Sequence, residues 1–211
     1  MSVFDKVVAI DHPTAQANKE ELDALRHRLI GESPNSILEV CQNWSHLSLG
    51  LAAVLADQGS GSLTTFRDSS GSKPDLIKDH AIELGLEERI SPIQPGRSYT
   101  WAMQRLLGSG NQHSFDICVL NGNKSWEASG FQAVLADIML RPGGLMVLSG
   151  ITWSMDKSPY FQSRKQVTQK YSADELSARP VQLVMDMILP HLGYDVLDTP
   201  EIKSFGIARK L

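Results

Sequence analysis

The sequence predicts an α/β fold: a doubly wound, mostly parallel sheet of seven strands with helices on both faces and an antiparallel hairpin at the carboxyl end. Apolar strand segments alternate with amphipathic helical segments five times, and parallel strands need such helices as crossovers. The clearest unit spans residues 115–149, where an apolar strand, a polar turn, a helix and a second apolar strand follow in order. Two short strands around a Thr199-Pro200 turn close the chain.

The individual elements are predicted from hydrophobic periodicity and from glycine or proline at their ends. Predicted strands cover residues 36–41, 62–66, 89–94, 115–120, 145–148, 194–197 and 203–209, and predicted helices cover residues 18–30, 44–56, 73–84, 99–107, 126–139 and 180–192. Pro92 places the third strand at a sheet edge, because proline cannot donate to a strand ladder. Residues 151–171 lack a clean period and are interpreted as a loop or lid-like insertion. We divide the chain into a helical extension, residues 1–35, and an α/β domain, residues 36–211.

The helical periods also predict which side chains face the sheet. In the helix at residues 126–139 these are Phe131, Val134, Leu135 and Ile138. In the last helix they are Val181, Val184, Met187, Ile188 and Leu192. Both sets recur at spacings of mostly three and four residues, which is typical of a helix with one apolar stripe.

Composition limits the classes of function. A chain of 211 residues can bury a core without disulfides or metal, and its net charge of -4 argues against a nucleic-acid partner. No stretch approaches 18 uninterrupted apolar residues and the amino end lacks a signal sequence, so we expect no membrane partner. Cys41 and Cys118 lie in predicted buried strands, which favours reduced thiols and a cytoplasmic location.

Three stretches of the chain carry a resemblance to a known family. They are residues 37–40 (Ile-Leu-Glu-Val), residues 115–123 (Phe-Asp-Ile-Cys-Val-Leu-Asn-Gly-Asn) and residues 140–145 (Leu-Arg-Pro-Gly-Gly-Leu). With the order of elements from residue 36 to the end, the chain resembles the class I S-adenosylmethionine-dependent methyltransferases, in particular small-molecule O-methyltransferases of the catechol type. The resemblance implies a Rossmann-like sheet, S-adenosylmethionine as cofactor and a small aromatic or hydroxylated substrate.

The resemblance also implies a set of cofactor-binding residues, several of which depart from the family pattern. The set is Glu39, Cys41, Asn43, Trp44, Ser45, Asp68, Asn121 and Gly122. The family's glycine-rich loop after the first strand is replaced by residues 41–45, which contain no glycine and would crowd the ligand. In the family, an acid at the end of the second strand accepts hydrogen bonds from the ribose hydroxyls. Arg67 stands at that position here, so the contact requires a one-residue shift that brings Asp68 into place. The position of the adenine-contacting acid falls near Gly96-Arg97.

The resemblance places a divalent ion, in metal-dependent relatives, on one carboxylate after the fourth strand and an Asp-Asn pair after the fifth. The matching residues are Asn121, Ser149 and Gly150, which carry no charged oxygen. Hard cations need such oxygens, so we expect no metal there. The histidines show no zinc-ligand spacing either.

Lys124 and His46 are the candidates for activating an acceptor, as an orienting cation and a general base. The alternatives are a solvated lysine behind a helix cap and a structural histidine. Asn123, Trp153 and Tyr160 are candidates for substrate binding; core packing or a dimer contact would explain the two aromatic residues equally well. Trp44 either stacks on a ligand or fills the space left by the absent glycines.

Two main hypotheses follow. The first is a methyltransferase that acts on a small molecule with an altered cofactor site. The second is a non-catalytic methyltransferase-like protein that serves as a binding or scaffold subunit, paired with an active homologue. Separately, the resemblance implies a homodimer, which is common in that family. A third possibility is non-methylating chemistry in the same pocket, because a fold does not determine a function.

Overall fold

A computed structural model describes residues 1–10, 19–41, 44–67, 76–96 and 98–211. Its centre is a seven-stranded sheet in the order β3-β2-β1-β4-β5-β7-β6. The strands are β1 (Ser36–Cys41), β2 (Ser62–Phe66), β3 (Ile90–Ile93), β4 (Phe115–Asn121), β5 (Leu140–Ser149), β6 (Tyr194–Leu197) and β7 (Phe205–Lys210). The first five pair in parallel, whereas β7 is antiparallel to both β5 and β6. The predicted fold class is confirmed, and β3 with its proline lies at the edge.

Helices cover both faces of the sheet. They are α1 (Val3–Val8), α2 (Lys19–Ile30), α3 (His46–Gln58), α4 (Leu76–Glu83), α5 (Tyr99–Gly108), α6 (Trp126–Met139), α7 (Pro159–Gln162), α8 (Lys165–Thr168), α9 (Ala173–Ser177) and α10 (Pro180–Leu183). Residues 73–75 of the predicted helix at residues 73–84 lie outside the described residues. In the part of the chain that the structure describes, no helix is long and apolar enough to cross a bilayer.

One face of the sheet is covered by two helical layers. α3 is buried along all of its residues from His46 to Leu55, because α1 and α2 pack over its outer side. α1 was not predicted; it buries Phe4 and Val7, and its first amides donate to the Asp57 carboxylate of α3 at 2.7 and 3.1 Å. A helix that is apolar all round needs such a second layer.

The opposite face corrects a prediction about α6. Phe131, Val134 and Ile138 are 55%, 38% and 39% exposed, so the prediction that they face the sheet was wrong, while Leu135 is buried as predicted. The buried side is made mostly of smaller or polar residues: Ser129, Gln132, Ala133, Ala136 and Met139. Small side chains let the helix approach the strands closely, which a stripe of large residues would prevent.

The last helical segment also departs from the predicted face. α10 continues into a π-helical turn (Val184–Ile188) and a 3₁₀ turn (Pro190–Leu192). The wider turn rotates the side chains, so Met185 is buried and Met187 is 54% exposed, contrary to the prediction for Met187. Val181 and Val184 are buried as predicted. Residues 151–171 are not simply a loop, because they contain α7 and α8.

Candidate functional site

The carboxyl ends of four neighbouring strands form the candidate site. β1 pairs with β2 on one side and with β4 on the other, so the direction of winding reverses between β1 and β4. In open α/β sheets ligands bind at such a switch point, outside the carboxyl ends of the strands. The polar residues at the ends of β1, β2, β4 and β5 are therefore the first candidates for function.

Glu39, near the end of β1, is fully buried. The Thr65 hydroxyl donates to its Oε2 at 2.8 Å, and the Asn121 amide donates to its Oε1 at 3.4 Å. Burial raises the pKa of Glu39, while donors from Ser48, Thr65 and Asn121 oppose that rise. The Cys41 thiol, beside Thr65, donates to the Phe66 carbonyl at 3.1 Å. Both oxygens of this carboxylate are thus held by the protein itself.

Asn121 connects this carboxylate to the end of β5. Its Oδ1 accepts a hydrogen bond from the Ser149 hydroxyl at 2.9 Å, on the opposite side of the amide from Glu39. The Lys124 ammonium then donates to the Ser149 carbonyl at 2.7 Å and to the Ser149 hydroxyl oxygen at 3.1 Å. We call the chain formed by Glu39, Asn121, Ser149 and Lys124 the polar relay.

Lys124 lies against Gly150, which has a φ of +81°. A Cβ on Gly150 would be 2.8 Å from the Lys124 Cε, so this conformer of the lysine requires glycine there. Burial lowers the pKa of Lys124 to about 8. Among the described residues, no carboxylate forms an ion pair with this ammonium.

The loop after β4 is hydrogen-bonded to Tyr99 and lies close to Gln132. The Asn123 amide donates to the Tyr99 hydroxyl oxygen at 2.8 Å, and a Cβ on Gly122 would lie 2.8 Å from the Gln132 Oε1. Burial raises the pKa of Tyr99. Beside this loop is a cavity of about 410 Å³ between the amino ends of α5 and α6. Its lining consists of Ser98, Tyr99, Thr100, Asn123, Ser125, Glu127, Ala128 and Phe131.

At the end of β2, the Arg67 guanidinium lies 5.0 Å from the centre of the Trp44 ring. Trp44 therefore packs against a cation from the adjacent strand, which is a favourable contact for an indole. Asn43, Asp68 and Arg97 lie outside the described residues. Ser45, just before α3, is buried and its amide donates to the Ser48 hydroxyl at 3.0 Å.

The two candidates for acceptor activation differ in environment. His46 is 4% exposed, and its Nε2 is 2.7 Å from the carbonyl oxygen of Val7 in α1. That contact turns the ring toward the amino-terminal layer, whereas Lys124 lies in the polar relay. The assignment of His46 as a general base stays a prediction.

The aromatic candidates after β5 form a small cluster. The ring centres of Trp153 and Phe161 are 6.1 Å apart, and those of Tyr160 and Phe161 are 5.0 Å apart. Tyr160 is 59% exposed, with the Arg164 guanidinium 3.7 Å from its ring centre. The Trp153 amide donates to the Gly150 carbonyl at 3.0 Å. The cluster therefore begins one turn after Gly150, the residue against which the Lys124 side chain lies.

Sequence reasoning did not identify Thr65, Gln132 or Tyr99 as parts of the site. Thr65 and Gln132 are almost fully buried polar residues in apolar surroundings, and such residues usually serve a hydrogen-bonding role. No spacing in the sequence links them to β4, because the fold alone brings their elements together.

The donors at the metal position do not fit a hard cation. Asn121 and Ser149 are neutral and hydrogen-bonded to each other, and an ammonium already donates to Ser149. Over the described ranges, no three histidine, cysteine, aspartate or glutamate side chains are grouped as ligands would be.

Solved structures similar to this chain include O-methyltransferases with SAM or SAH bound. An O-methyltransferase from Bacillus cereus in complex with SAH matches with a TM-score of 0.65 and 14% identity, over 99% of this chain and 90% of that one. The O-methyltransferase TomG from Streptomyces achromogenes, in complex with SAM, matches with a TM-score of 0.60 and 15% identity, over 100% and 90%. The MycE methyltransferase of mycinamycin biosynthesis, in complex with Mg and SAH, matches with a TM-score of 0.55 and 14% identity, over 88% of this chain and 48% of that one.

No family model and no curated protein matches the sequence. The fold neighbours nevertheless cover nearly the whole chain, including the terminal β6 and β7 pair. The chain therefore has the fold of the S-adenosylmethionine-dependent O-methyltransferases, as the three motif stretches indicate.

Proposed function

We propose that this chain binds S-adenosylmethionine at the carboxyl ends of β1, β2 and β4 and transfers its methyl group to an oxygen of a small molecule. The observation that supports the proposal is the polar relay, which joins Glu39, at the strand end where the cofactor would bind, to Lys124, where the acceptor would lie. Fold neighbours with SAM or SAH bound support the choice of cofactor.

Several residues of this chain would bind the cofactor or orient a residue that does. Ser98, Tyr99 and Asn123 line a cavity beside the loop after β4, and polar groups there can bind an adenosyl group. Asp68 would accept hydrogen bonds from the ribose hydroxyls of the cofactor. Glu39 would act on the cofactor site indirectly, by accepting a hydrogen bond from the Asn121 amide and so fixing its orientation. S-adenosylmethionine supplies an electrophilic methyl group when it is bound.

On the acceptor side, Lys124 would orient the acceptor oxygen, and Trp153 and Tyr160 would cover the substrate. Methyl transfer is an in-line displacement, so most of the protein's contribution is to position the acceptor and exclude water. A half-buried ammonium beside the reacting oxygen acts where the local dielectric is low, which strengthens its effect.

Isothermal titration calorimetry with S-adenosylmethionine and S-adenosylhomocysteine tests the proposal. We expect saturable heat from both ligands, and weaker binding in Asp68→Ala. Asp195→Ala is a matched control, because Asp195 is exposed on β6 at the far edge of the sheet. Absence of heat and of a thermal shift from either ligand would contradict the proposal, and an unchanged affinity in Asp68→Ala would remove the ribose contact.

A second candidate function is a non-catalytic subunit that pairs with another copy or with an active homologue. The contact between Arg67 and Trp44 favours it, because a cation then stands at the strand end where the family has its ribose-binding acid. Under this proposal neither ligand would bind, and light scattering after co-expression would detect a complex with a methylating homologue. A monomer that binds S-adenosylhomocysteine would contradict it.

A further inference from the structure

Glu21, in the first turn of α2, is a buried carboxylate that accepts hydrogen bonds from a distant part of the chain. The backbone amides of Lys203 and Ser204 donate to its Oε1 at 2.7 and 3.0 Å, and the Ser204 hydroxyl donates to its Oε2 at 2.8 Å. Hydrogen bonds to an ionised acceptor are the stronger kind. The carboxylate therefore holds both the backbone and the side chain of the corner that precedes β7.

This corner is in turn bonded to the end of β5. The Gly150 amide donates to the Ser204 carbonyl at 2.7 Å, one residue beyond the pairing of Ser149 with Phe205. The bond extends the contact between β5 and β7 into the candidate site. The backbone position of Gly150 therefore depends on a corner that Glu21 holds.

Gly150 is also where the aromatic cluster begins. Its carbonyl accepts from the Trp153 amide at 3.0 Å, and its φ of +81° sets the direction in which the chain leaves β5. The Trp153 ring lies 6.1 Å from that of Phe161, which contacts Tyr160. A series of hydrogen bonds thus runs from α2 through Ser204 and Gly150 to the first aromatic residue of the cluster.

A second carboxylate from the amino-terminal segment provides a comparison. Glu32, just after α2, accepts from the Arg209 guanidinium at 2.6 and 3.0 Å, and Arg209 pairs with Leu145 of β5. The two carboxylates therefore hold β7 at places about 15 Å apart, since a strand rises roughly 3.4 Å per residue. Of the two, Glu21 is the one whose partner is bonded to Gly150.

We propose that Glu21 is a positioning residue for the acceptor site: by holding Ser204, and through it Gly150, it fixes the start of the segment that bears Trp153 and Tyr160. Its effect on turnover rests on the proposed methyl transfer, whereas its effect on the backbone does not. Helix α2 then contributes to the acceptor site without contacting the acceptor. A displacement of about 1 Å in a group that positions a substrate is enough to lower the rate substantially.

Hydrogen exchange measured by nuclear magnetic resonance, without any ligand, tests the effect on the backbone. Glu21→Ala leaves the donors of the corner without their acceptor, so the Gly150 and Trp153 amides should exchange at least about tenfold faster than in Glu32→Ala. Glu21→Gln retains an acceptor oxygen for the two backbone amides and should restore most of the protection. In Glu32→Ala, faster exchange should be confined to the amides around Arg209.

Urea denaturation shows how far each variant is destabilised, so that local and global opening can be separated. If Glu21→Ala does not fold, Glu21→Asp takes its place, because its carboxylate is one methylene too short to reach the corner. Unchanged exchange at Gly150 and Trp153 in the folded variant would overturn the inference. An equal increase in Glu32→Ala would also overturn it, because the effect would then reflect general loss of stability.

Methyl transfer to 4-nitrophenol and to catechol, together with calorimetry of S-adenosylhomocysteine, tests the effect on turnover. In Glu21→Ala we expect kcat/KM for the acceptor to fall about tenfold, with recovery in Glu21→Gln and a change of less than about twofold in Glu32→Ala. The affinity for S-adenosylhomocysteine should be the same in all of them, because the bonds from Glu21 lead to β5 and not to β1, β2 or β4.

A fall in cofactor affinity that parallels the fall in kcat/KM would overturn the positioning role, since a merely destabilised protein would lose both. The same holds for a full rate in a Glu21→Ala variant whose Gly150 amide is unprotected. If the natural chain methylates neither phenol, the proposed function fails for these acceptors, and the exchange comparison still decides whether Glu21 holds Gly150.

Discussion

The end of β1 and the end of β5 hold opposite charges by similar means. At β1, the buried Glu39 carboxylate accepts from a threonine hydroxyl and an asparagine amide; at β5, the Lys124 ammonium donates to a carbonyl and a hydroxyl. Among the described residues neither charge forms an ion pair, and Asn121 is hydrogen-bonded to Glu39 on one side and to Ser149 on the other. The comparison explains why a neutral amide suits this position: an aspartate would lose the donor to Glu39 and add a second negative charge beside it.

The β1 end should be the more fragile of the two. Glu39→Ala removes a fully buried acceptor and leaves the Thr65 and Asn121 donors unpaired, so we expect a loss of about 3 kcal/mol in the free energy of unfolding. Glu39→Gln, which keeps the shape, should lose less. Urea denaturation of both variants measures the difference, and equal losses would show that keeping the shape does not help and that both carboxylate oxygens are needed as acceptors.

The variant Gly150→Ala tests whether the position of the Lys124 side chain is as important for stability as that of Glu39. Gly150→Ala forces a residue with a φ of +81° against the lysine stem, and should cost about 2 kcal/mol of unfolding free energy. Gly59→Ala is the matched control, because Gly59 has a φ of +83° and open space around its Cβ position. It should cost about 1 kcal/mol, from backbone strain alone.

A double-mutant cycle isolates the contact itself. Adding Lys124→Ala to Gly150→Ala should recover the steric part of the loss, so that the remaining cost approaches that of Gly59→Ala. Additive losses in the cycle would show that the lysine stem does not press on residue 150.

The two charges should also respond to pH in characteristic ways. Burial lowers the pKa of Lys124 from 10.5 to about 8, so the folded state binds fewer protons than the unfolded state between those values. Stability should therefore rise with pH across that window, by about 1 kcal/mol between roughly pH 8 and 10.5 after allowance for solvent screening. The rise should disappear in Lys124→Met, and an identical pH profile in that variant would contradict the assignment.

The raised pKa of Glu39 predicts the opposite sign in acid. The folded state holds this proton more tightly, so the contribution of Glu39 to stability is full below its unfolded pKa of 4.5 and is lost as pH rises through the folded value. Chemical denaturation across that range, with Glu39→Gln as the flat reference, measures it. A difference that grows in favour of the natural chain with rising pH would have the wrong sign.

His46 should show the smallest effect. His46→Phe keeps the ring but removes the contact with the Val7 carbonyl, and should cost about 1 kcal/mol or less. Hydrogen exchange should increase at the amides of α1, as it should in Asp57→Ala, which removes the acceptor at the start of the same helix. Unchanged exchange with a large loss of methyl transfer would instead support the predicted catalytic role.

The parallel strands could be predicted because several of them, such as β1 and β4, are mostly apolar runs with single polar residues. The faces of α6 could not, because the small residues that pack closely on the sheet look unremarkable beside Phe131, Val134 and Ile138. α1 was missed because it is six residues long and depends on a carboxylate from α3 for its first amides.

The position of Lys124 in the site could be predicted from its place after the fourth strand. Its enclosure by Ser149 and Gly150 could not, because that contact depends on how β4 and β5 are aligned. The same holds for Glu39, whose partners Thr65 and Asn121 lie 26 and 82 residues away along the chain.

A crystal structure of the full chain grown with S-adenosylhomocysteine and Mn²⁺, with anomalous scattering recorded for manganese, would show whether the strand ends bind the cofactor without a metal. We expect an adenosyl group at the ends of β1, β2 and β4, the Lys124 ammonium still hydrogen-bonded to Ser149, and no anomalous peak between Asn121 and Ser149. A manganese peak at that place, with Lys124 turned away from Ser149, would contradict the account.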